Sequence, residues 1–134
     1  AKLSFVDTLV REFVRYQTPL VHTRRTASRD AELAVHQIRV GDKTFMWYVG
    51  ANSGERVIEE PERFCVDREK PRKHRSYRAG IHRCVGDRLA DLQPSILWEE
   101  ILKRDLNIEI LGPPERIRFI FMRGIKKLPV RIAA

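Results

Sequence analysis

The sequence is poor in cysteine and has no long apolar run. Its 134 residues include two cysteines, Cys65 and Cys84. Two cysteines are too few for a disulfide scaffold and indicate free thiols in a reducing, cytoplasmic setting. No apolar stretch approaches the roughly 18 residues that a membrane span requires. Paired Cys-x-x-Cys and His-x₃-His motifs are also missing, which argues against a structural zinc site.

Acidic residues are in the minority. Lys and Arg number 26 against 18 Asp and Glu, so the formal net charge is +8. The densest basic stretch, called here the basic segment, spans residues 68–78 and contains Arg68, Lys70, Arg72, Lys73, Arg75 and Arg78. Such a cluster attracts an acidic partner, which could be nucleic acid, an acidic protein or an anionic cofactor. The alternative is a solvated loop with no partner.

Apolar periodicity predicts a mixture of helices and strands. Residues 4–16 carry an apolar residue every three or four positions, which is typical of an amphipathic helix. Residues 33–49 are expected to form a β-hairpin around Gly41 and Asp42, because a glycine-first pair suits a two-residue turn. Residues 51–77 are rich in turn formers and charge, so a long irregular segment is expected there.

A second helix is predicted to begin just after Cys84. Its apolar face carries Leu89, Leu92, Ile96, Leu97, Ile101 and Leu102. Pro94 lies inside it and predicts a kink or break, since an interior proline removes a hydrogen bond at a cost of about 3 kcal/mol. The tail alternates as strands over residues 108–110, 117–121 and 128–132. The fold class is therefore α+β.

The surroundings of Cys84 suit a thiolate that binds a metal. Arg78, Arg83 and Arg88 place cations nearby, and the helix expected to follow supplies a positive dipole end. Glycines at positions 80 and 86 allow close backbone approach or a positive φ. This pattern favours a thiolate ligand beneath a large planar cofactor. The alternative is a buried free cysteine, which is how Cys65 is interpreted.

The stretch "YRAGIHRCVG" resembles the haem-binding signature of the cytochrome P-450 family, Phe-Gly-x-Gly-x-His-x-Cys-x-Gly. The matching residues are Gly80, His82, Cys84 and Gly86. Tyr77 stands where the family has Phe, and Arg78 stands where it usually has Gly. The resemblance implies that Cys84 is the axial thiolate ligand of the iron of haem b. It also implies that His82 binds a haem propionate and that Gly80 and Gly86 lie against the cofactor.

Further motifs follow in the family's order. "EFVR" is similar to the Glu-x-x-Arg motif of the K helix, with Glu12 and Arg15 in register. "RRTASRD" resembles the strand whose arginine pairs with a haem propionate, which implies Arg25, with Arg24 as a rival. "PERF" resembles the meander loop, which implies that Arg63 completes a structural network with the Glu-x-x-Arg pair.

The resemblance covers residues 1–134 as the C-terminal haem-binding part of a cytochrome P-450 domain. This part comprises the K helix, a β-hairpin, the meander, the cysteine-ligand loop, the L helix and a C-terminal β-hairpin. The N-terminal two-thirds, including the I helix, is not represented. Among the members of the family, the sequences of these motifs most resemble those of bacterial terminal hydroxylases of alkanes and fatty acids. A cytoplasmic monooxygenase is expected, which would take electrons from a ferredoxin or a similar acidic partner docked at the basic segment.

Two alternative functions remain open, and the isolated chain is expected to self-associate. The chain could be a haem-binding or interaction fragment without turnover. It could also be a basic nucleic-acid-binding protein, although no nucleic-acid motif accompanies the charge. If elements that normally cover its helices are absent, apolar surface should be exposed and the isolated chain should self-associate.

Overall fold

A computed structural model describes residues 2–133. A short 3₁₀ turn, Lys2–Phe5, leads into helix α1, Val6–Gln17. Val6, Val10 and Val14 recur every four residues and are buried as one stripe. The helix ends at Gln17, and its C-cap residue Thr18, whose φ of 41° lies in the left-handed region, stands directly before Pro19. The helix predicted over residues 4–16 is confirmed.

The strands that follow α1 pair differently from the predicted hairpin. Strand β1, His22–Thr26, is antiparallel to β4, Lys43–Trp47. Between them, β2 (Ala31–Leu33) pairs with β3 (His36–Ile38). The expected pairing around Gly41 and Asp42 is therefore wrong. Gly41, at φ 89°, donates its N–H to the Ala27 carbonyl, and the Ala27 N–H donates to the Asp42 carbonyl, so the chain returns to the end of β1.

The middle of the chain is irregular, as predicted. Helix α2 is short, Tyr48–Asn52. Between it and Ala79 the regular structure is a single 3₁₀ turn, Pro71–Lys73. A second 3₁₀ turn, Gly80–His82, precedes Cys84.

Helix α3, Asp87–Lys103, begins just after the cysteine and packs against α1. Pro94 lies inside α3, yet the helix is unbroken, so the expected break is wrong. Pro94 removes a single backbone hydrogen bond, and the helical turns before and after it are enough to keep the helix continuous. Next to the proline, the Ser95 hydroxyl donates to the Asp91 carbonyl at 2.8 Å. No residue of α3 is fully buried.

The tail forms two small antiparallel pairs. Strand β5 (Asn107–Ile110) pairs with β8 (Val130–Ala133), and β6 (Glu115–Arg116) pairs with β7 (Ile125–Lys127). The strand predicted over residues 117–121 is wrong, because that segment instead contacts the chain entering β1. There the Phe121 carbonyl accepts the Val21 N–H at 3.0 Å.

No helix within residues 2–133 is both long enough and apolar enough to cross a membrane.

Candidate functional site

The loop from Tyr77 to Gly86, called here the cysteine loop, is closed by backbone hydrogen bonds. The Cys84 N–H donates to the Tyr77 carbonyl at 3.0 Å, and the Arg83 N–H donates to the Gly80 carbonyl at 3.1 Å. Cys84 is exposed and free. Gly86 is the N-cap of α3, so the thiol stands just before a helix N-terminus.

Two positions in the cysteine loop have left-handed backbone. Gly80 has φ 66° and Arg78 has φ 65°. Glycine takes this conformation without steric cost, whereas a side chain with a Cβ pays roughly 1–2 kcal/mol. The geometry therefore explains why a glycine suits position 80 and why Arg78 is anomalous. Gly86, at φ −90°, has an ordinary backbone that any residue could adopt.

A cleft of about 430 Å³ lies between β4, the end of β1 and the cysteine loop. Its apolar walls come from Met46, Trp47, Tyr48, Ala51 and Ala79, and its polar lining consists of three arginines and one histidine, Arg25, Arg75, Arg78 and His82. Two residues of the predicted site, Arg25 on β1 and His82 in the cysteine loop, thus line the same cleft.

Strand alternation decides between the two neighbouring arginines of β1. Successive strand residues point to opposite faces. Thr23 is buried, Arg24 is exposed, and Arg25 is partly covered and lines the cleft. Arg25 is therefore the arginine of this pair that faces His82.

These residues fit a haem. A flat apolar ring with two carboxylates matches an apolar cleft that carries arginines and a histidine. Val85, directly after Cys84, and Ile81, three residues before it, are 101% and 97% exposed, so the cysteine loop carries uncovered apolar side chains on both sides of the thiol in sequence. Among residues 2–133, no group of three His, Cys, Asp or Glu side chains forms a metal cluster.

Glu12 is the centre of a buried ion network. Its carboxylate accepts two hydrogen bonds from Arg15, both 2.8 Å long, and one from the Cys65 N–H at 3.0 Å. The Glu12 side chain is completely buried. Burial alone would raise the pKa of Glu12, but the hydrogen bonds from Arg15, Arg68 and Cys65 outweigh it and hold this pKa below its usual value.

The third member of this network is Arg68, and the prediction of Arg63 is wrong. Arg68 Nε donates to Glu12 Oε2 at 3.1 Å. The Arg63 side chain is exposed and pairs with Glu60 at 3.0 Å. Only the Arg63 carbonyl takes part, as acceptor for Arg15 and Arg68. A motif in the irregular segment shows which residues are near the network, but not which side chain turns inward.

Asn52 is the centre of a second buried hydrogen-bond network beside the Glu12 network. Its side-chain amide donates to Thr18 Oγ1 at 2.9 Å and to Ser76 Oγ at 2.8 Å. Its side-chain oxygen accepts the Arg75 N–H at 2.6 Å. The Asn52 backbone carbonyl accepts from Arg15 Nη1. Sequence reasoning missed Asn52 and Ser76. The feature of the sequence that could have indicated Asn52 is its place among turn-forming residues, where a side-chain amide can form hydrogen bonds to neighbouring loops.

The basic segment is divided among three roles. Arg68 belongs to the Glu12 network, and Arg75 and Arg78 line the cleft. Lys70, Arg72 and Lys73 remain exposed. The outward positive charge is thus smaller than the sequence count implies. Arg83, which was expected to act on the thiol, is paired with Asp87 in the first turn of α3, and this hydrogen bond lowers the pKa of Asp87.

Comparison with known proteins agrees with this geometry. The family model for "Cytochrome P450" matches residues 1–112. Linalool 8-monooxygenase of Pseudomonas putida is 37% identical over 125 residues, which are 93% of this chain and 30% of that protein. The methyl-branched lipid omega-hydroxylase of Mycobacterium tuberculosis is 34% identical over 124 residues, which are 92% of this chain and 29% of that protein.

Solved structures agree as well. Cytochrome P450-153 from Novosphingobium aromaticivorans superposes with a TM-score of 0.92 at 46% identity, covering 97% of this chain and 33% of that one. The chain belongs to the cytochrome P450 family, whose cofactor is haem. Its fold is part of the family's α+β fold. The chain spans about 30% of the length of the curated relatives it matches.

Proposed function

We propose that this chain is the C-terminal haem-binding part of a P450 monooxygenase that hydroxylates an apolar substrate, an alkane or a fatty acid. One observation carries the proposal. The cysteine loop presents the exposed thiol of Cys84. His82 of the same loop lines an apolar cleft, and Arg25 of β1 lines it as well. The names of two relatives, linalool 8-monooxygenase and a methyl-branched lipid omega-hydroxylase, support the reaction class and a lipid-like substrate.

Each residue of the site has a distinct role in this proposal. Cys84 would hold the iron of haem b through its thiolate, and Arg25 and His82 would hold the propionates through charge-assisted hydrogen bonds. Gly80 and Gly86 shape the loop on both sides of the ligand. When bound, haem with a thiolate ligand supplies the oxygen chemistry: one atom of O₂ is inserted into a C–H bond, and the other is reduced to water by two electrons and two protons. Glu12, Arg15 and Arg68 hold the surrounding framework.

The test is the absorbance spectrum of the reduced protein with haem and carbon monoxide. A red-shifted Soret band is expected, and Cys84→Ser should abolish it. Cys65→Ser is the matched control, because Cys65 contributes its backbone N–H to Glu12 and that group survives the substitution. The absence of the band in the unmodified chain, or its persistence in Cys84→Ser, would contradict thiolate ligation by this loop.

Electrons are proposed to arrive from a ferredoxin or a similar acidic protein at the exposed cations of the basic segment. Positive charge on the docking face raises the association rate with an acidic partner, and salt screens that effect. Arg72→Glu with Lys73→Glu should slow reduction by a ferredoxin at low salt. Lys43→Glu, an exposed cation on β4, should leave the rate unchanged. Equal rates in both variants would place the partner elsewhere.

A further inference from the structure

Tyr77 ties the cysteine loop to both long helices. Its hydroxyl donates to Asp91 Oδ1 on α3 at 2.7 Å. The other oxygen of Asp91 accepts from Arg11 Nη1 on α1 at 3.0 Å. The Arg11 and Asp91 side chains are 12% and 19% exposed, so this chain of bonds is mostly shielded from water. Asp7 accepts two further hydrogen bonds from Arg11 and fixes the direction of its guanidinium.

The backbone of Tyr77 is bonded to the ligand residue itself. The Tyr77 carbonyl accepts the Cys84 N–H at 3.0 Å. The residue that follows, Arg78, has a left-handed backbone, so the loop turns sharply at this point. Tyr77 therefore has one hydrogen bond at each end: its hydroxyl donates to Asp91 on α3, and its carbonyl accepts from the Cys84 N–H. The hydrogen bond to Asp91 therefore anchors the same residue whose carbonyl accepts the Cys84 N–H.

The surroundings of the ring keep its hydroxyl as a donor. Burial first, and the hydrogen bond to Asp91 second, raise the pKa of Tyr77. The ring packs edge-on against buried His74 with centroids 5.4 Å apart. Burial lowers the pKa of His74, and the cations Arg11, Arg15 and Arg83 lower it further against the opposing effect of Asp91. A neutral imidazole thus forms one wall of the Tyr77 site.

We propose that the Tyr77 hydroxyl, through Asp91 and Arg11, is a positioning group that holds Cys84 in place. The proposal rests on the proposed function only in that the positioned thiol is taken to be the haem ligand. Phe, the residue of the family signature at this place, would fill the same space with its ring and make no bond to Asp91. Tyr77→Phe therefore removes the hydroxyl and nothing else.

The first experiment measures amide hydrogen exchange in the complete 134-residue chain without haem. Tyr77→Phe should make the Cys84 amide exchange about tenfold faster, the order expected when one hydrogen bond to a charged group is lost. The Thr18 amide, bonded to the Val14 carbonyl at the end of α1, should keep its rate. The matched control is Tyr48→Phe, which removes a buried tyrosine hydroxyl bonded to Thr23 Oγ1 at 2.6 Å, outside the cysteine loop. This control should leave the Cys84 rate unchanged.

A double-mutant cycle separates positioning from general stability. Asp91→Ala should accelerate Cys84 exchange as Tyr77→Phe does, and the double variant should add little, because both remove the same bond. Asp91→Asn, which keeps an oxygen for the hydroxyl, should largely restore protection. The proposal is overturned if Cys84 exchange is unchanged in Tyr77→Phe, if the Cys84 and Thr18 rates rise equally, or if the two changes add fully. Should Tyr77→Phe not fold, the comparison of Asp91→Ala with Asp91→Asn decides the question.

A second readout uses the haem-loaded protein. Tyr77→Phe should lose the red-shifted Soret band of the reduced, carbon monoxide-bound form at a lower urea concentration than the unmodified chain does. Tyr48→Phe is not used here, because Tyr48 lines the cleft. An equal urea dependence would count against positioning of the ligand. Failure of the chain to bind haem would overturn the proposed function while leaving the exchange result in force.

Discussion

Arg78 holds a side chain at a backbone position that favours glycine. Its φ is 65°, and its N–H closes a turn to the Arg75 carbonyl at 2.8 Å. Arg78→Gly should raise the free energy of unfolding by about 1 kcal/mol, because the left-handed strain is relieved. It should also tighten haem binding, since the side chain that lines the cleft is removed. Urea denaturation and haem titration measure the two effects.

The control for this prediction is Arg78→Ala, which removes the side chain but keeps a Cβ in the left-handed region. It should give little or none of the stability gain. If alanine and glycine stabilise the chain equally, the effect comes from the lost charge or bulk, and the strain interpretation is wrong.

Arg68 and Arg63 provide a matched pair of arginines in the same segment. Arg68 donates to the buried Glu12 carboxylate, whereas the Arg63 side chain faces solvent. Arg68→Ala should lower the free energy of unfolding by about 2 kcal/mol, the usual loss for hydrogen bonds to a charged group. Arg63→Ala should have no measurable effect, because only the Arg63 carbonyl joins the network. The opposite ranking in urea denaturation would restore Arg63 to the place that the motif indicated.

At the scale of elements, local patterns were predictable and long-range pairing was not. The apolar period of α1 and the start of α3 after Cys84 follow from neighbouring residues. The partner of β4 does not, because a glycine-first turn suits a local hairpin as well as the observed return to Ala27. Likewise, Phe121 alternates like a strand residue, yet its carbonyl is taken by Val21. In the site, motif order indicated Cys84, His82 and Arg25, whereas the inward turn of Arg68 depends on an irregular path without periodicity.

Helix α1 is joined to the irregular segment through a carboxylate, which makes this contact sensitive to acid. The pKa of Glu12 is lower in the folded chain than its ordinary value of about 4.3. As the pH falls, the unfolded chain therefore takes up the proton first, and the folded state loses stability. The contribution is complete above about pH 4.3 and disappears as the pH passes the lower value of the folded chain.

Urea denaturation between pH 7 and pH 3 measures this effect. Glu12→Gln should cost about 3 kcal/mol at neutral pH, because Arg15 and Arg68 are left without their counter-charge, and it should flatten the acid dependence. Glu62→Gln, an exposed glutamate in the same segment, should retain the dependence of the unmodified chain. Parallel acid curves for Glu12→Gln and the unmodified chain would show that other carboxylates are responsible.

At the scale of the whole molecule, α3 is amphipathic without a cover on its apolar side. Leu89, Leu92, Ile96 and Leu97 are 51% to 60% exposed although they belong to a single helix. A contiguous apolar face of this kind marks an interaction surface. The chain also spans about 30% of the length of its curated relatives, so this face has room for covering elements that residues 2–133 do not provide. The 134-residue chain is therefore expected to self-associate through α3.

The double substitution Leu92→Lys with Ile96→Lys tests this expectation, because the two positions are one helical turn apart and lysine preserves helix propensity. Sedimentation velocity should show concentration-dependent association for the unmodified chain and a monomer for the variant, with unchanged helicity by circular dichroism. Leu33→Lys, which removes an exposed leucine from β2, should associate as the unmodified chain does. A clean monomer in the unmodified chain at high concentration would mean that the apolar face of α3 is too small to drive association by itself. Equal loss of association in Leu33→Lys would instead assign the effect to net charge, since each lysine adds to a chain that already carries +8.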